Sequence, residues 1–325
     1  MTAKIQSTEE AADIIRHGGL VAFPTETVFG LGVDATNAAA VERLFAAKGR
    51  PSDNPLIVHL ADRHDWKIAA AELTSHAEAL LEVFTPGPLT VVLPKRGEIN
   101  SMVTAGLDSV GIRVPDHASA QEILRQAGVP VAAPSANRSG RPSSTTWRAV
   151  LEDLEGRIDA VYCEDTTRIG IESTVVDCCG DRPQILRPGA VTLQQLQAVV
   201  SNTEGRTEHS TGEDQRARQR VKSPGLLHAH YQPIAKICLI EQPSSHTIQL
   251  EKGIAYCGLI DFEGRQHLDF SKVFPTTEAF ASAFYEFLRE ADRRSIATVY
   301  VQLAVDEGIG QALRDRQRRA AGKSA

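Results

Sequence analysis

Four cations, Lys48, Arg50, Arg113 and Arg187, stand out among residues able to do chemistry, with the hydroxyls and amides of Thr27, Asn54, Ser135, Asn137, Ser143 and Ser173. Side chains of these types neutralise and position anions without supplying an attacking group. Phosphoryl or nucleotidyl transfer between bound substrates is the reaction class that needs only this. The sequence has no Gly-x-Ser-x-Gly elbow, no H-E-x-x-H and no Walker A motif. Gly30-Leu31-Gly32-Val33-Asp34-Ala35 fits the dinucleotide fingerprint G-x-G-x-x-A, but the first helical pattern opens only at Asn37 and no strand-end acid follows at the required distance. That reading is rejected.

The elements that must position these side chains follow from pattern. Residues 20–23 form an apolar run bounded by Pro24, as a buried strand does. Asn37 caps a helix whose apolar face is Val41, Leu44 and Phe45 and which ends at Lys48 and Gly49. A proline-bounded polar loop, residues 50–55, leads to a strand at 56–60 with His59 near its end. Strand and helix ends thereby bring Thr27, Lys48, Arg50, Asn54 and His59 together, as α/β folds do to hold small anions. Helices are expected at 75–84, 118–127 and 192–200, and strands at 89–93, 110–114, 129–132, 158–163, 174–177 and 184–186. Arg113 interrupts the apolar strand 110–114, and a buried-strand arginine needs an anionic partner. The irregular alternation predicts a mixed sheet over residues 1–200.

Residues 201–220 hold no large apolar side chain and read as a linker. Residues 223–233 carry Pro, Gly, His228, His230 and Tyr231, and are expected to close over the anion site as a lid, within a linker region of 201–235. A second, smaller α/β unit spans 236–325, with strands at 237–240, 254–260 and 297–303. One helix there aligns Ala279, Phe280, Ala283, Phe284, Phe287 and Leu288. The basic C-terminal helix, 310–319, is expected to be a solvated face.

The formal charge of −6 over 325 residues argues against a broad nucleic-acid surface but permits a local cationic pocket. Five cysteines, without a C-x-x-C pair or zinc spacing, suggest reduced thiols. Ser7-Thr8-Glu9-Glu10 reads as a capping box opening a helix, not as a signal peptide, and no apolar run approaches membrane-spanning length. The expected location is the cytoplasm.

The segments Pro24-Thr25-Glu26-Thr27-Val28-Phe29-Gly30-Leu31-Gly32, Lys48-Gly49-Arg50-Pro51, Asn54-Pro55-Leu56, Pro86-Gly87-Pro88-Leu89-Thr90, Gly111-Ile112-Arg113-Val114-Pro115, Ala133-Pro134-Ser135-Ala136-Asn137, Glu172-Ser173-Thr174-Val175-Val176-Asp177 and Leu186-Arg187-Pro188-Gly189 resemble the YrdC-like domain. Over nearly its whole length the chain is similar to the long, two-domain L-threonylcarbamoyladenylate synthase family. The resemblance implies a YrdC-like mixed, twisted sheet with helices, followed by a smaller Rossmann-like α/β domain. It implies a reaction of L-threonine, bicarbonate and ATP that yields threonylcarbamoyl-AMP and pyrophosphate, with Mg²⁺ accompanying ATP. The product would pass to a threonylcarbamoyl transferase in the modification of tRNA adenosine, with room for a weak tRNA contact. By resemblance, Thr27, His59, Arg113, Ala133 and Ser173 hold threonine. Lys48 and Arg50 are catalytic and bind ATP together with Asn54, Ser109, Ser135, Asn137, Ser143, Arg187 and Tyr231. No metal ligands are implied. Two departures stand out: Leu226-Leu227-His228-Ala229 replaces the family's Met-Lys-Tyr-Arg, and Arg314 and Gln317 replace Asn and Leu in the last helix, a change expected to lie at the surface. Two other classes remain open: a carbamoyl-transferring enzyme of the kind that matures hydrogenases, and an RNA-binding module without catalysis.

Overall fold

The computed structural model describes residues 1–164, 167–205, 231–248 and 251–322. Most of the linker and lid expected from the sequence, residues 206–230, lies outside them. Ten strands form one mixed sheet in the order β1-β8-β2-β3-β7-β4-β6-β5-β9-β10, and four form a second in the order β11-β14-β12-β13. The first comprises β1 Ala3–Ile5, β2 Val21–Phe23, β3 Gly30–Asp34, β4 Ile57–His59, β5 Leu89–Pro94, β6 Ser109–Arg113, β7 Val131–Ala132, β8 Ala160–Tyr162, β9 Thr174–Asp177 and β10 Gln184–Arg187. The second comprises β11 Lys236–Ile240, β12 Ile254–Gly258, β13 Phe270–Val273 and β14 Thr298–Gln302, all paired in parallel.

Local chemistry sets the helices. Ser7, Asn37, Thr74 and Thr146 each accept a backbone N–H at the start of α1 (Thr8–Arg16), α2 (Ala38–Lys48), α3 (Ser75–Phe84) and α5 (Trp147–Leu154). Ser7 accepts from Glu10, but the reciprocal half of a capping box is seen at Thr192 and Gln195 of α6 (Leu193–Val199). Gly49 and Gly128, both left-handed, stop α2 and α4 (Ala118–Ala127). The fingerprint-like segment at 30–34 is strand β3, antiparallel to β2. Its glycine is a packing requirement, since a Cβ on Gly32 would stand 2.6 Å from the Phe23 ring.

Sheet alternation separates two faces. Val58 and Ile112 point into the main apolar core, which α2, α3 and α6 help to build. Their neighbours Ile57, His59, Gly111 and Arg113 point to the opposite face. Toward the β1 edge that opposite face is covered by α1 and α4, which pack on Val21, Phe23 and Val131.

The second unit rests on the first. Phe280, Phe284 and Leu288 of α7 (Thr277–Arg293) share one core with Val28 and Ile171 of the first unit. Backbone meets backbone there: a Cβ on Gly170 would lie 2.4 Å from the Ser282 carbonyl oxygen. The last helix, α8 (Ile309–Ala320), corrects an expectation. It is not a solvated face, because Arg316 and Gln317 are fully buried. Gln317 donates to the Gln302 carbonyl and accepts from Ala304 N–H, so its difference from the family pattern is an interior matter.

Gly170→Ala joins a backbone clash to a φ of +76° that L side chains rarely adopt, and is expected to cost about 2–4 kcal/mol. Thermal melting should fall by several degrees. An unchanged melt would show that α7 does not rest on residue 170.

Candidate active site

Parallel pairing of β4 with β6 sets His59 directly beside Arg113. The antiparallel neighbour β7 ends at Ala132, and the loop that follows returns to β3 through a bridge between Gly30 and Ser135. Ser173 precedes β9, and Arg187 closes β10 beside it. These elements enclose a cleft whose walls include Arg50, His59, Arg113, Ala133, Ser135, Ser173, Arg187 and Tyr231. Ile57 lines it as well, and residues two apart on a strand share a face. The cleft therefore lies on the uncovered face of the sheet and not only at strand ends.

Arg113 is buried within an interior strand and has an anion. Its Nη2 lies 2.7 Å from Glu26 Oε1 and donates to Thr27 Oγ1 at 2.8 Å. The Glu26 contact has the distance of an ion pair but not the alignment of a hydrogen bond, and neither Glu26 oxygen has another bonded partner. Thr25 gives its proton to the Val28 carbonyl, so Thr27 donates to Thr25 and accepts from Arg113. Opposite, Arg187 donates to both the carbonyl and the hydroxyl of Ser173, and that hydroxyl also meets Thr90. Arg50 donates to the carbonyls of Asn54 and Pro55.

The cations share a low-dielectric setting. Burial lowers Arg187, and Arg316 lowers it further against Tyr231 and Glu172. Burial brings Arg50 down to about 10, with Arg187 adding to the fall while Tyr231 and Asp53 oppose it. Lys48 is held well below its usual range by burial and then by Arg50, with Asp153 opposing. These directions are those of like charges gathered in a site that anions would stabilise.

The structure also separates the predicted residues. Lys48 does not line the cleft. Its Nζ donates to the carbonyls of Ser135 and Asn137 at 2.6 and 2.5 Å, and so shapes the loop behind the wall. Asn137 bonds within that loop, accepting from Ser135 and donating to the Arg138 and Arg141 carbonyls. Ser143 donates to Glu172 at 2.6 Å. Asn54 is buried beneath Arg50. Ser109 is not among the lining residues of this cleft; it begins β6 on the same face as Gly111 and Arg113, four positions and about 13 Å of strand from Arg113.

Glu26, Glu172, Tyr285 and Arg316 are the residues that sequence reasoning missed. Glu172 lines the cleft and accepts from Ser143, Tyr285 and Arg316. Burial alone would raise its carboxyl, but Arg316, Arg187 and the Ser143 hydroxyl outweigh it and hold it near 2. The available signal was an acid between apolar Ile171 and a strand, in a segment already singled out.

With this geometry, comparison with known proteins is decisive. Residues 13–189 match the Sua5/YciO/YrdC family, described as "Telomere recombination", and residues 191–322 match the family described as "Threonylcarbamoyl-AMP synthase, C-terminal domain". The chain belongs to this family, in its long two-domain form. It is 38% identical over 323 residues to a threonylcarbamoyl-AMP synthase of Pyrococcus abyssi, covering 96% of this chain and 93% of that protein. It is 39% identical over 324 residues to a Bacillus subtilis protein of the same name, covering 96% and 92%. The structure of P. abyssi Sua5 complexed with L-threonine superposes with a TM-score of 0.89 at 34% identity, covering 99% of this chain and 98% of that one.

His59 generates a pH prediction. Its Nδ1 faces the Ile57 carbonyl at 3.2 Å, which can only accept, so Nδ1 carries the hydrogen and Nε2 is an acceptor. Burial, then the charge of Arg113, push its pKa down to about 3 from 6.5, against the Ile57 bond. The unfolded chain therefore binds a proton that the folded one refuses. Stability is full above pH 6.5 and falls with acid by about 1.4 kcal/mol per pH unit. Glu172 acts in the same direction, but only below 4.5. His59→Gln should flatten the decline in melting temperature between pH 6.5 and 4.5. Parallel curves for variant and parent would mean that His59 is not held neutral.

Proposed function

We propose that this cleft joins L-threonine, bicarbonate and ATP into threonylcarbamoyl-AMP, with release of pyrophosphate. This is the first step in forming N6-threonylcarbamoyladenosine in the anticodon loop of tRNA. The observation that carries the reading is the convergence of Arg50, Arg113 and Arg187, all buried or half-buried, on one cleft with a neutral histidine. The threonylcarbamoyl-AMP synthase name of the relatives and the threonine in the P. abyssi structure support it.

The chemistry balances on these residues. The threonine amine bonds to the carbon of bicarbonate and water leaves. An oxygen of the resulting carbamate attacks the α-phosphorus, and the bond to pyrophosphate breaks. Both partners are anions, so their approach requires fixed positive charge and alignment. Arg113 receives the threonine carboxylate, its guanidinium a fork suited to two parallel bonds, and Thr27 holds that guanidinium through the hydroxyl oxygen that accepts from it. His59 Nε2 accepts from the threonine, with Ala133 and Ser173 bounding it. Arg50, Ser135, Arg187 and Tyr231 face the nucleotide, while Lys48, Asn54, Asn137 and Ser143 fix the wall behind them. Preorganised donors of this kind spend no reorganisation energy as charge develops.

Mg²⁺ accompanying ATP would withdraw charge from the triphosphate. The cleft does not offer it a ligand set: Glu172 is already engaged, and no group of three metal-ligating side chains is assembled among the described residues. Residues 1–200 form the catalytic unit of the proposal, 201–235 its linker, and 236–325 the second unit. The product passes to a threonylcarbamoyl transferase, with at most a weak tRNA contact from this acidic chain. The cytoplasm is its proposed location. Among the described residues no helix is long and apolar enough to cross a membrane.

Pyrophosphate release, measured with threonine and bicarbonate each omitted in turn, tests the function. Release should require both, and release independent of either would remove the proposal. Arg113→Ala should raise the KM for threonine tenfold or more and that for ATP less than threefold. Equal effects would move Arg113 away from the carboxylate.

A further inference from the structure

A carboxylate on the wall of a cleft that receives a triphosphate opposes its ligand unless its charge is taken up. Among the described residues lining this cleft, Glu172 is the single carboxylate, beside the guanidinium groups of Arg50, Arg113 and Arg187. Its neighbour Ser173 holds Arg187 through two acceptors, so Glu172 and Arg187 meet at one point of the wall.

The second unit supplies the compensation. Arg316 of α8, with no exposed surface, donates Nε to Glu172 Oε2 at 2.9 Å and Nη2 to the Pro188 carbonyl at 2.9 Å. Asp315 steadies its Nη1 at 2.6 Å. Tyr285 of α7 donates its hydroxyl to the same Glu172 oxygen at 3.0 Å. A second carboxylate repeats the arrangement. Asp153 of α5 has a fully buried side chain beneath the loop that Lys48 anchors, and accepts the Arg138 N–H of that loop. Arg289 of α7 pairs with it at 2.9 Å and also donates to the Pro142 carbonyl, while Arg141 of the first unit pairs with its other oxygen at 2.6 Å. Thus a buried arginine of the second unit reaches each of these carboxylates, beside Arg141 of the first unit at Asp153 and facing the cleft wall at Glu172.

We propose that Arg316 is a positioning residue of the nucleotide site: it takes up the charge of Glu172, so that Arg187 keeps its own for the phosphates of ATP. The inference rests on the reading of the cleft as a nucleotide site and assigns a task to the second unit within it. Without Arg316, Glu172 keeps the Ser143 and Tyr285 hydroxyls but remains a buried anion that the charge of Arg187 must offset. The phosphates then meet a wall with one less effective cation and one more carboxylate.

The test separates this from a clamp that merely fastens the units together. Arg316→Met should raise the KM for ATP tenfold or more while changing that for threonine less than threefold. The double variant Glu172→Gln with Arg316→Met removes the ion pair but also removes the offending charge. It should return the ATP KM to within threefold of the parent. A mere clamp predicts the opposite, a double variant as impaired as the single one. If Arg316→Met does not melt cooperatively, the double variant carries the test alone. An ATP KM still raised tenfold in the double variant, or its failure to fold, overturns the proposal. Failure of the functional reading appears elsewhere, as parent protein that releases no pyrophosphate with all three substrates present.

Discussion

Burying like charges side by side is the constraint to which the rest of this fold responds. Arg50, Arg113, Arg187 and Lys48 sit in or behind one cleft, and each is costly there without nearby acceptors or anions. The chain meets this cost with different partners. Backbone carbonyls face Lys48 and Arg50, where the chain leaves regular strand geometry. Glu26 faces Arg113 from a turn that precedes β3. Carbonyl dipoles compensate only in part, and a site so arranged still favours an incoming polyanion.

The same constraint explains why the interface between the two units is both apolar and charged. Phe280, Phe284 and Leu288 provide the area, and apolar burial supplies the driving force. Arg289 and Arg316 add little net stability by comparison, since desolvation consumes most of the attraction within a buried pair. Their geometry is what matters: each fork reaches a carboxylate and a backbone carbonyl together, fixing the angle at which the helices of the second unit meet the cleft wall.

Much of this could be read from the sequence where pattern was strong. The helices α3 and α4 are bounded by residues whose preferences are unambiguous, Thr74 before one and Gly128 after the other. Arg113 announced its need for an anion by interrupting an apolar strand, and the structure brings it to the cleft. Other features were hidden for physical reasons. Strand β3 is rich in glycine because aromatic packing demands it, which masks strand propensity. Helix α5 escaped notice although Thr146 caps Ala149, and with it went Asp153. The last helix looks basic and solvated because net charge says nothing about partners 144 residues away in sequence, the separation of Arg316 from Glu172. Ser109, inferred from resemblance alone, carries no pattern of its own at the start of its strand.

The matched carboxylates and arginines carry a consequence for the history of the chain. Neither half can drift freely: loss of charge at residue 316 is tolerated only once residue 172 has become neutral, and the reverse order leaves the interior guanidinium to its neighbour Asp315. Exchange of whole units between distant relatives would thus succeed only when both members of each pair travel together. What holds the two halves in register in space also binds them in descent.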